Sequence, residues 1–341
     1  VTFVSAQDGW VLGTGLCSDG GGSCLALART QDGGITWTPV PPPPTTFYSG
    51  AISYSGAISY SGAPSSGSTG GVDGIRFANP EDGWAYGTQL WATHDGGASW
   101  TQVLLPGLSS SGPIMPLETS AGYVDAALFS PVNAAVAIDI SSVGTDSWMA
   151  APGTLPIGAG PVPNTQFALQ GSAGWLVQND REVIGGASLQ GGAWGLWTPP
   201  CGAVGGQAAL AASSPQDLMA ICAVGQYTSA SPTERAYVSS DGGDSFSELA
   251  ISLPSACQAS SLLASPSISV AVAACGGEIV ATFDGGGIWS TVYDSGSGPS
   301  IGYIGFTTTT QGVAIEASAF DSLGALLMTH DGGHTWAEVD I

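Results

Sequence analysis

The sequence contains no lysine, and its four basic side chains are Arg29, Arg76, Arg181 and Arg235. Against 26 Asp and Glu this leaves a formal net charge of -22 at pH 7, although charged residues make up only 9% of the chain. A surface so poor in cations excludes nucleic acid and anionic membrane as partners, because both are held by clustered Lys and Arg. The imbalance comes from missing bases rather than surplus acids. In strongly acidic medium carboxylates are protonated while Lys and Arg keep their charge, so deleting the bases keeps the net charge small there. The expectation is an acid-exposed extracellular protein; a secreted protein from a lineage favouring small neutral residues has the same composition.

Long apolar runs are also missing. The most apolar region, "SLLASPSISVAVAACGG", is broken by Ser, Pro and Gly and reads as two buried strands, so no membrane span is expected. No Asn-x-Ser/Thr site occurs, and N-linked glycosylation is not expected. There is no GxSxG elbow, no HExxH, no phosphate-binding GxxxxGK and no dinucleotide fingerprint, so no catalytic residue and no cofactor is assigned. His94, His330 and His334 are too few, and too distant from the cysteines, to form a zinc site, and no metal is expected. The chain begins at Val1 with no charged leader, which points to a processed or trimmed start.

What is present is glycine, at 52 of 341 residues, in a chain that is 43% hydrophobic. Such a chain turns often and has ample apolar material for a core, which suits an all-β protein. Its six cysteines fall into three sequence-local pairs, Cys17 with Cys24, Cys201 with Cys222 and Cys257 with Cys275. Nearest-neighbour pairing is one of the connectivities that six thiols allow. Structural disulfides in an oxidising compartment are expected.

An eight-residue pattern recurs: "TQDGGITW" at 30–37, "THDGGASW" at 93–100, "SSDGGDSF" at 239–246, "TFDGGGIW" at 282–289 and "THDGGHTW" at 329–336. Two degenerate copies, "SSVGTDSW" ending at Trp148 and "SLQGGAWGLW" ending at Trp197, fill the gap in the middle. A second element precedes each copy, as in "FVSAQDGWVLGT" from Phe3, "FANPEDGWAYGT" from Phe77 and "FSPVNAAVAI" from Phe129, and each reads as strand, polar turn, strand. Adding the strands on either side of the motif, every unit supplies four short strands. Seven such units at about 40–50 residues apiece are the signature of a β-propeller. In the motif, paired glycines permit backbone conformations closed to other residues, the Asp carboxylate accepts amides of its own turn, and the aromatic opens the fourth strand.

The pattern [ST]-x-D-x-G-x-[ST]-[WF] resembles the Asp-box, or BNR, repeat, and with the "DGW" element it resembles the propellers of the photosystem II assembly factor family, sialidases and xyloglucan-active glycosidases. The resemblance implies a seven-bladed β-propeller of four-stranded antiparallel blades, all-β, as a single domain over 1–341. It implies structural rather than catalytic roles for Asp32, Asp95, Asp241, Asp284 and Asp331 and for the aromatics Trp37, Trp100, Phe246, Trp289 and Trp336, because Asp-boxes sit at the blade periphery. The unit boundaries read as 1–41, 72–107, 120–155, 163–200, 205–252, 258–295 and 299–341, each with its own four strands. Ile288 departs from the pattern where Ser or Thr is usual, without threatening the turn.

Between the first and second units lies a Pro/Ser/Gly/Tyr-rich insert, 41–71, which reads as a surface loop. Its Tyr48, Tyr54 and Tyr60 recur every six residues and offer a route to self-association. The resemblance to sialidases implies an arginine triad and a Tyr-Glu pair, a demanding requirement for a chain with four arginines. Glycoside hydrolysis needs only two carboxylates, and Asp73, Asp125, Asp139, Asp180, Glu182, Glu278 and Glu316 lie outside the repeated turns. The leading expectation is a secreted or cell-surface, non-catalytic module that binds protein or polysaccharide; the alternative is a glycoside hydrolase using two channel-facing carboxylates.

Overall fold

The structure is a computed structural model and describes residues 1–17, 23–47, 71–106, 114–130, 135–151, 155–156, 164–225, 233–251, 253–254, 262–296, 298–317 and 324–341. The fold is a seven-bladed β-propeller of antiparallel sheets. Among the described residues the helical element is one short 3-10 turn, Pro200–Val204. No helix among them is long and apolar enough to cross a membrane.

Every blade is made of strands consecutive in sequence and paired in that order. Blade 1 shows the plan, with Thr2–Phe3, Gly9–Leu16, Ser23–Thr30 and Thr38–Val40 as first to fourth strands. Blades 2 to 7 run over 71–103, 114–150, 164–196, 206–249, 262–294 and 300–339. Two sheets carry a fifth strand: Thr46–Phe47 adds in parallel to Gly71–Phe77, and Leu155–Pro156 joins Ala135–Ser142. Thr46–Phe47 comes from the 41–71 insert, whose Tyr48, Tyr54 and Tyr60 lie outside the described residues. The chain divides into two compact units, one holding blades 1 to 3 and the other blades 4 to 7.

Within each unit the apolar faces of neighbouring blades close on one another, as alternation along a strand requires when both faces of a sheet are covered. Trp10, Leu27, Ile75 and Phe77 fill the seam between blades 1 and 2, and Trp84, Ile114, Leu117 and Val124 that between blades 2 and 3. In the second unit, Trp175 and Leu218 pack between blades 4 and 5, Met219 and Trp289 between blades 5 and 6, and Ile279 and Trp336 between blades 6 and 7.

Blade 3 corrects the reading of its repeat. Phe129 belongs to the second strand, Tyr123–Ser130, not the first, which is Ile114–Ser120 and begins before the expected boundary. The two strands are joined by a tight hairpin at Ala121 and Gly122, whose φ values of 50° and 83° suit a two-residue turn. The third strand then begins at Ala135, and the five-residue "x-D-G" turn that joins the first two strands of blade 1 has no counterpart between Ser120 and Tyr123.

Cys17 and Cys24 are disulfide-bonded across the hairpin of the second and third strands of blade 1, with Cα atoms 5.0 Å apart. Cys201 and Cys222 tie the 3-10 turn to the second strand of blade 5 at 5.2 Å, and both are fully buried. Cys275 is also disulfide-bonded; Cys257 lies outside the described residues.

Candidate functional site

Each of the five D-G-G turns joins the third and fourth strands of its blade. In blade 1, Thr30 Oγ1 donates to Asp32 Oδ1 at 2.9 Å and accepts the Gly34 amide at 2.9 Å. The Thr36 amide and hydroxyl donate to the two oxygens of Asp32 at 2.9 and 2.6 Å. The same bonds recur at Asp95, Asp241 and Asp331. The two glycines of every copy have φ of 73–79° and 88–106°, a left-handed region that Cβ disfavours. At Asp284 the hydroxyl donor is replaced by Ile288, and the Gly287 and Ile288 amides bind one carboxylate oxygen at 2.9 and 3.0 Å.

Hydrogen bonds to the ionised form hold these carboxyls below the usual range. The Ser245 hydroxyl, with the backbone beside it, holds Asp241 at about 2. Asp331 also sits at about 2, where burial pushes upward and the Thr335 hydroxyl and amide outweigh it. The Thr36 and Ser99 hydroxyls lower Asp32 and Asp95, and Asp284 is lowered first by the Ile288 amide.

The turns are also tied to the rest of their blades. The first glycine of each donates its amide to the turn between the first and second strands, at Gln7, Glu81, Gln216, Ser269 and Thr310, over 2.8–2.9 Å. Trp37, Trp100 and Trp336 meet Phe3, Phe77 and Phe306 edge to face at 6.0, 6.3 and 6.0 Å. Phe246 lies 6.1 Å from Trp197, and Trp289 donates to the Gly286 carbonyl at 3.1 Å.

Seams between blades are closed in several ways. Trp10, on the second strand of blade 1, stacks on Phe77 at 3.8 Å and donates its indole N–H to the Gly96 carbonyl of the next blade's turn at 3.0 Å. Arg29 also lies over that indole, 4.8 Å from its centroid, and binds Asp8 at 3.3 Å. Trp175 of blade 4 repeats the bond to the Gly242 carbonyl at 3.0 Å, and Trp197 adds one to Gly243 at 2.9 Å.

Blade 3 has no D-G-G turn, and Trp84 donates instead to Asp146 Oδ1 at 3.1 Å. His94 completes that seam, with Nε2 2.9 Å from Asp146 Oδ2 and Nδ1 2.6 Å from Asp82 Oδ1. The hydrogen bond to Asp82, and after it that to Asp146, raises the imidazole above its ordinary value. At the seam of blades 6 and 7 the Phe283 ring stacks on His334 at 3.7 Å. His330 is an exposed turn residue.

The seam between blades 5 and 6 holds a cleft of about 260 Å³. Met219, Val238 and Ile268 line its apolar part, and Ser240, Ser247 and Ser265 its polar part. The titratable residue on its lining, Asp217, accepts the Ser214 hydroxyl at 2.7 Å. No sequence motif marks this place. Its signal lies in comparing repeats: "QDLMA" has Met219 where "QDGWV" and "EDGWA" have Trp10 and Trp84.

The carboxylates outside the turns are spread through the blades. Asp125 pairs with Ile140, the neighbour of Asp139, so the two buried Asp side chains face opposite sides of blade 3. Asp73 is half-buried in the first strand of blade 2, and Asp180 and Glu182 are exposed in one loop of blade 4. Glu278 accepts the Thr291 hydroxyl at 3.1 Å and Glu316 the Tyr293 hydroxyl at 2.7 Å. Burial, reinforced by that bond to Glu316, pushes the Tyr293 phenol up to about 12, the direction opposite to an activated nucleophile. Arg29, Arg76 and Arg235 each hold a carboxylate of their own, Asp8, Glu118 and Glu248. Arg181 is exposed.

Comparison with protein-family profiles and with curated proteins returns no match. Among solved structures, YCF48 bound to a D1 peptide is similar at a TM-score of 0.59 and 18% identity, over 97% of this chain and 91% of that one. YCF48 from Cyanidioschyzon merolae is similar at 0.57 and 15% identity, over 96% of this chain and 98% of that one. The GH74 enzyme of Niastella koreensis is similar at 0.50 and 12% identity, over 98% of this chain and 63% of the enzyme. At these identities the likeness establishes the propeller fold that this chain shares with them.

Proposed function

We propose that the protein is a secreted or cell-surface interaction module that binds a protein segment without turning it over. The cleft between blades 5 and 6 carries this reading: apolar groups and hydroxyls line it, and its single carboxylate is engaged by Ser214. That is recognition chemistry, whereas glycoside hydrolysis requires two carboxylates about 5–9.5 Å apart. The peptide-bound state of YCF48, a propeller of like fold, adds support for a protein partner. Disulfides support an oxidising compartment, and the lack of lysine supports exposure to acid, where a base-poor surface keeps its charge small. The D-G-G residues then serve architecture, the Asp accepting from its own turn and the first glycine tying that turn to the rest of the blade.

The test is a screen of a linear peptide library beside a panel of plant, microbial and sialylated oligosaccharides, at about pH 3 and pH 7, a span that crosses the carboxylate range. Retention of peptides without product release is expected. Release of a sugar product overturns the reading in favour of hydrolysis, and retention of oligosaccharides alone replaces the protein partner by a glycan.

A further inference from the structure

We propose that the cleft between blades 5 and 6 receives a tryptophan side chain of the partner protein. This rests on the interaction-module reading and supplies its ligand chemistry. At two other seams the protein fills the corresponding place with an indole of its own. Trp10 donates its N–H to Gly96 and Trp175 donates to Gly242, each at 3.0 Å, and each acceptor is the first glycine of the next blade's turn.

In blade 5 the same position is Met219. The register is preserved, because Thr2 pairs with Trp10 and Ala211 with Met219, each one pair in from the turn. A thioether has no N–H to donate. The corresponding acceptor residue of blade 6, Gly285, lines the cleft.

A second, independent difference opens the mouth. Where Phe283 and His334 stack over the seam of blades 6 and 7, the equivalent turn positions at this seam are Ser240 and Gly287. Ser240 lines the cleft and leaves it accessible from the turn end.

Size and chemistry agree with one aromatic side chain. The volume of about 260 Å³ falls below the range of roughly 300–1,000 Å³ that holds drug-sized ligands. Met219, Val238 and Ile268 offer contact to a ring face, and the hydroxyls with Gly285 offer acceptors to a single N–H. No arginine lines the cleft, so an anionic ligand lacks a counter-charge. Tryptophan anchors of this kind dominate many protein interfaces, since they combine large apolar area with one polar handle.

The experiment takes peptides retained in the screen and remeasures them on Met219→Trp, which installs the indole of the other seams, and on Ser240→Phe, which narrows the mouth and leaves the floor intact. N-acetyl-tryptophanamide and its N1-methyl derivative are titrated in parallel by NMR. Saturable binding of N-acetyl-tryptophanamide is expected, weaker for the methylated probe, with affinity falling on the order of tenfold or more in both variants. Met219→Trp is expected to melt no lower than the wild-type protein. Peptide binding that is unchanged in both variants overturns the cleft assignment while leaving the interaction module standing. If no peptide is retained, the interaction reading fails, and the small probe decides the cleft separately: absence of saturable shifts overturns it.

Discussion

The seam between blades 4 and 5 and the seam between blades 5 and 6 are built from the same repeat and end differently. At the first, Trp175 and Trp197 lie against the glycines of the next turn, and a Cβ on Gly243 would sit 3.2 Å from Trp197. At the second, the neighbours of Gly286 are Leu249 and the flexible end of Met219, at 2.7 and 3.2 Å from where its Cβ would lie, and a cleft remains. Both turns keep their paired left-handed glycines and the Asp contacts to their own amides. Closing a blade and closing a seam are therefore separate tasks. Local hydrogen bonds perform the first, and whichever side chain reaches the next blade performs the second. The first unit makes the same point with charge, where His94 between Asp82 and Asp146 joins blades 2 and 3 beside a turn that has lost its D-G-G.

The largest expected effect comes from breaking the filled seam. Trp175→Ala removes a side chain that is 1% exposed and should cost about 3–5 kcal/mol in a denaturant titration. If seam closure alone separates the two sites, this variant also gains binding of N-acetyl-tryptophanamide near Gly242. A stability change within experimental error would show that the indole does not hold the seam.

A smaller effect is expected at the charged seam. The imidazole of His94 is raised in the folded protein, so its contribution is fully present below the unfolded value of 6.5 and is lost as pH rises through the folded one. The Tm difference between wild type and His94→Gln should be larger near pH 6 than near pH 9, and an equal gap at both would remove the imidazolium from the account.

The smallest effect belongs to the turns themselves. Asp241 is lowered to about 2, so its contribution is present above the unfolded value of 3.8 and is lost as pH falls through about 2. Ile288→Thr gives Asp284 the hydroxyl donor that Asp241 already has. NMR titration of the side-chain carboxyls should show Asp284 moving down toward Asp241, with a slight rise in Tm at neutral pH. An unmoved Asp284 would mean that the backbone amides alone set its acidity.

Much of this architecture was legible because it is local. The Asp of the D-G-G turn takes its donors from within eight residues, so the spelling survives in five copies. The pairings of Cys17 with Cys24 and Cys201 with Cys222 also join near neighbours in sequence. Blade 3 was harder to read, because a two-residue hairpin replaces the polar turn that marks other units and moves the first strand back to Ile114. Nothing in the sequence around His94 marks its role, since its partners Asp82 and Asp146 come from another turn and another blade.

The sequence by itself determined the repeat, the turn chemistry and the scarcity of positive charge, because each is a property of a short segment or of composition. Only the tertiary structure decided which side chain of one blade meets which turn of the next. That depends on register and on the distance between sheets, and it left Met219, Ser240 and Gly285 around one cleft. A methionine in place of a tryptophan is unremarkable along a strand; across a seam it changes which groups meet the next blade's turn, because a thioether has no N–H to donate.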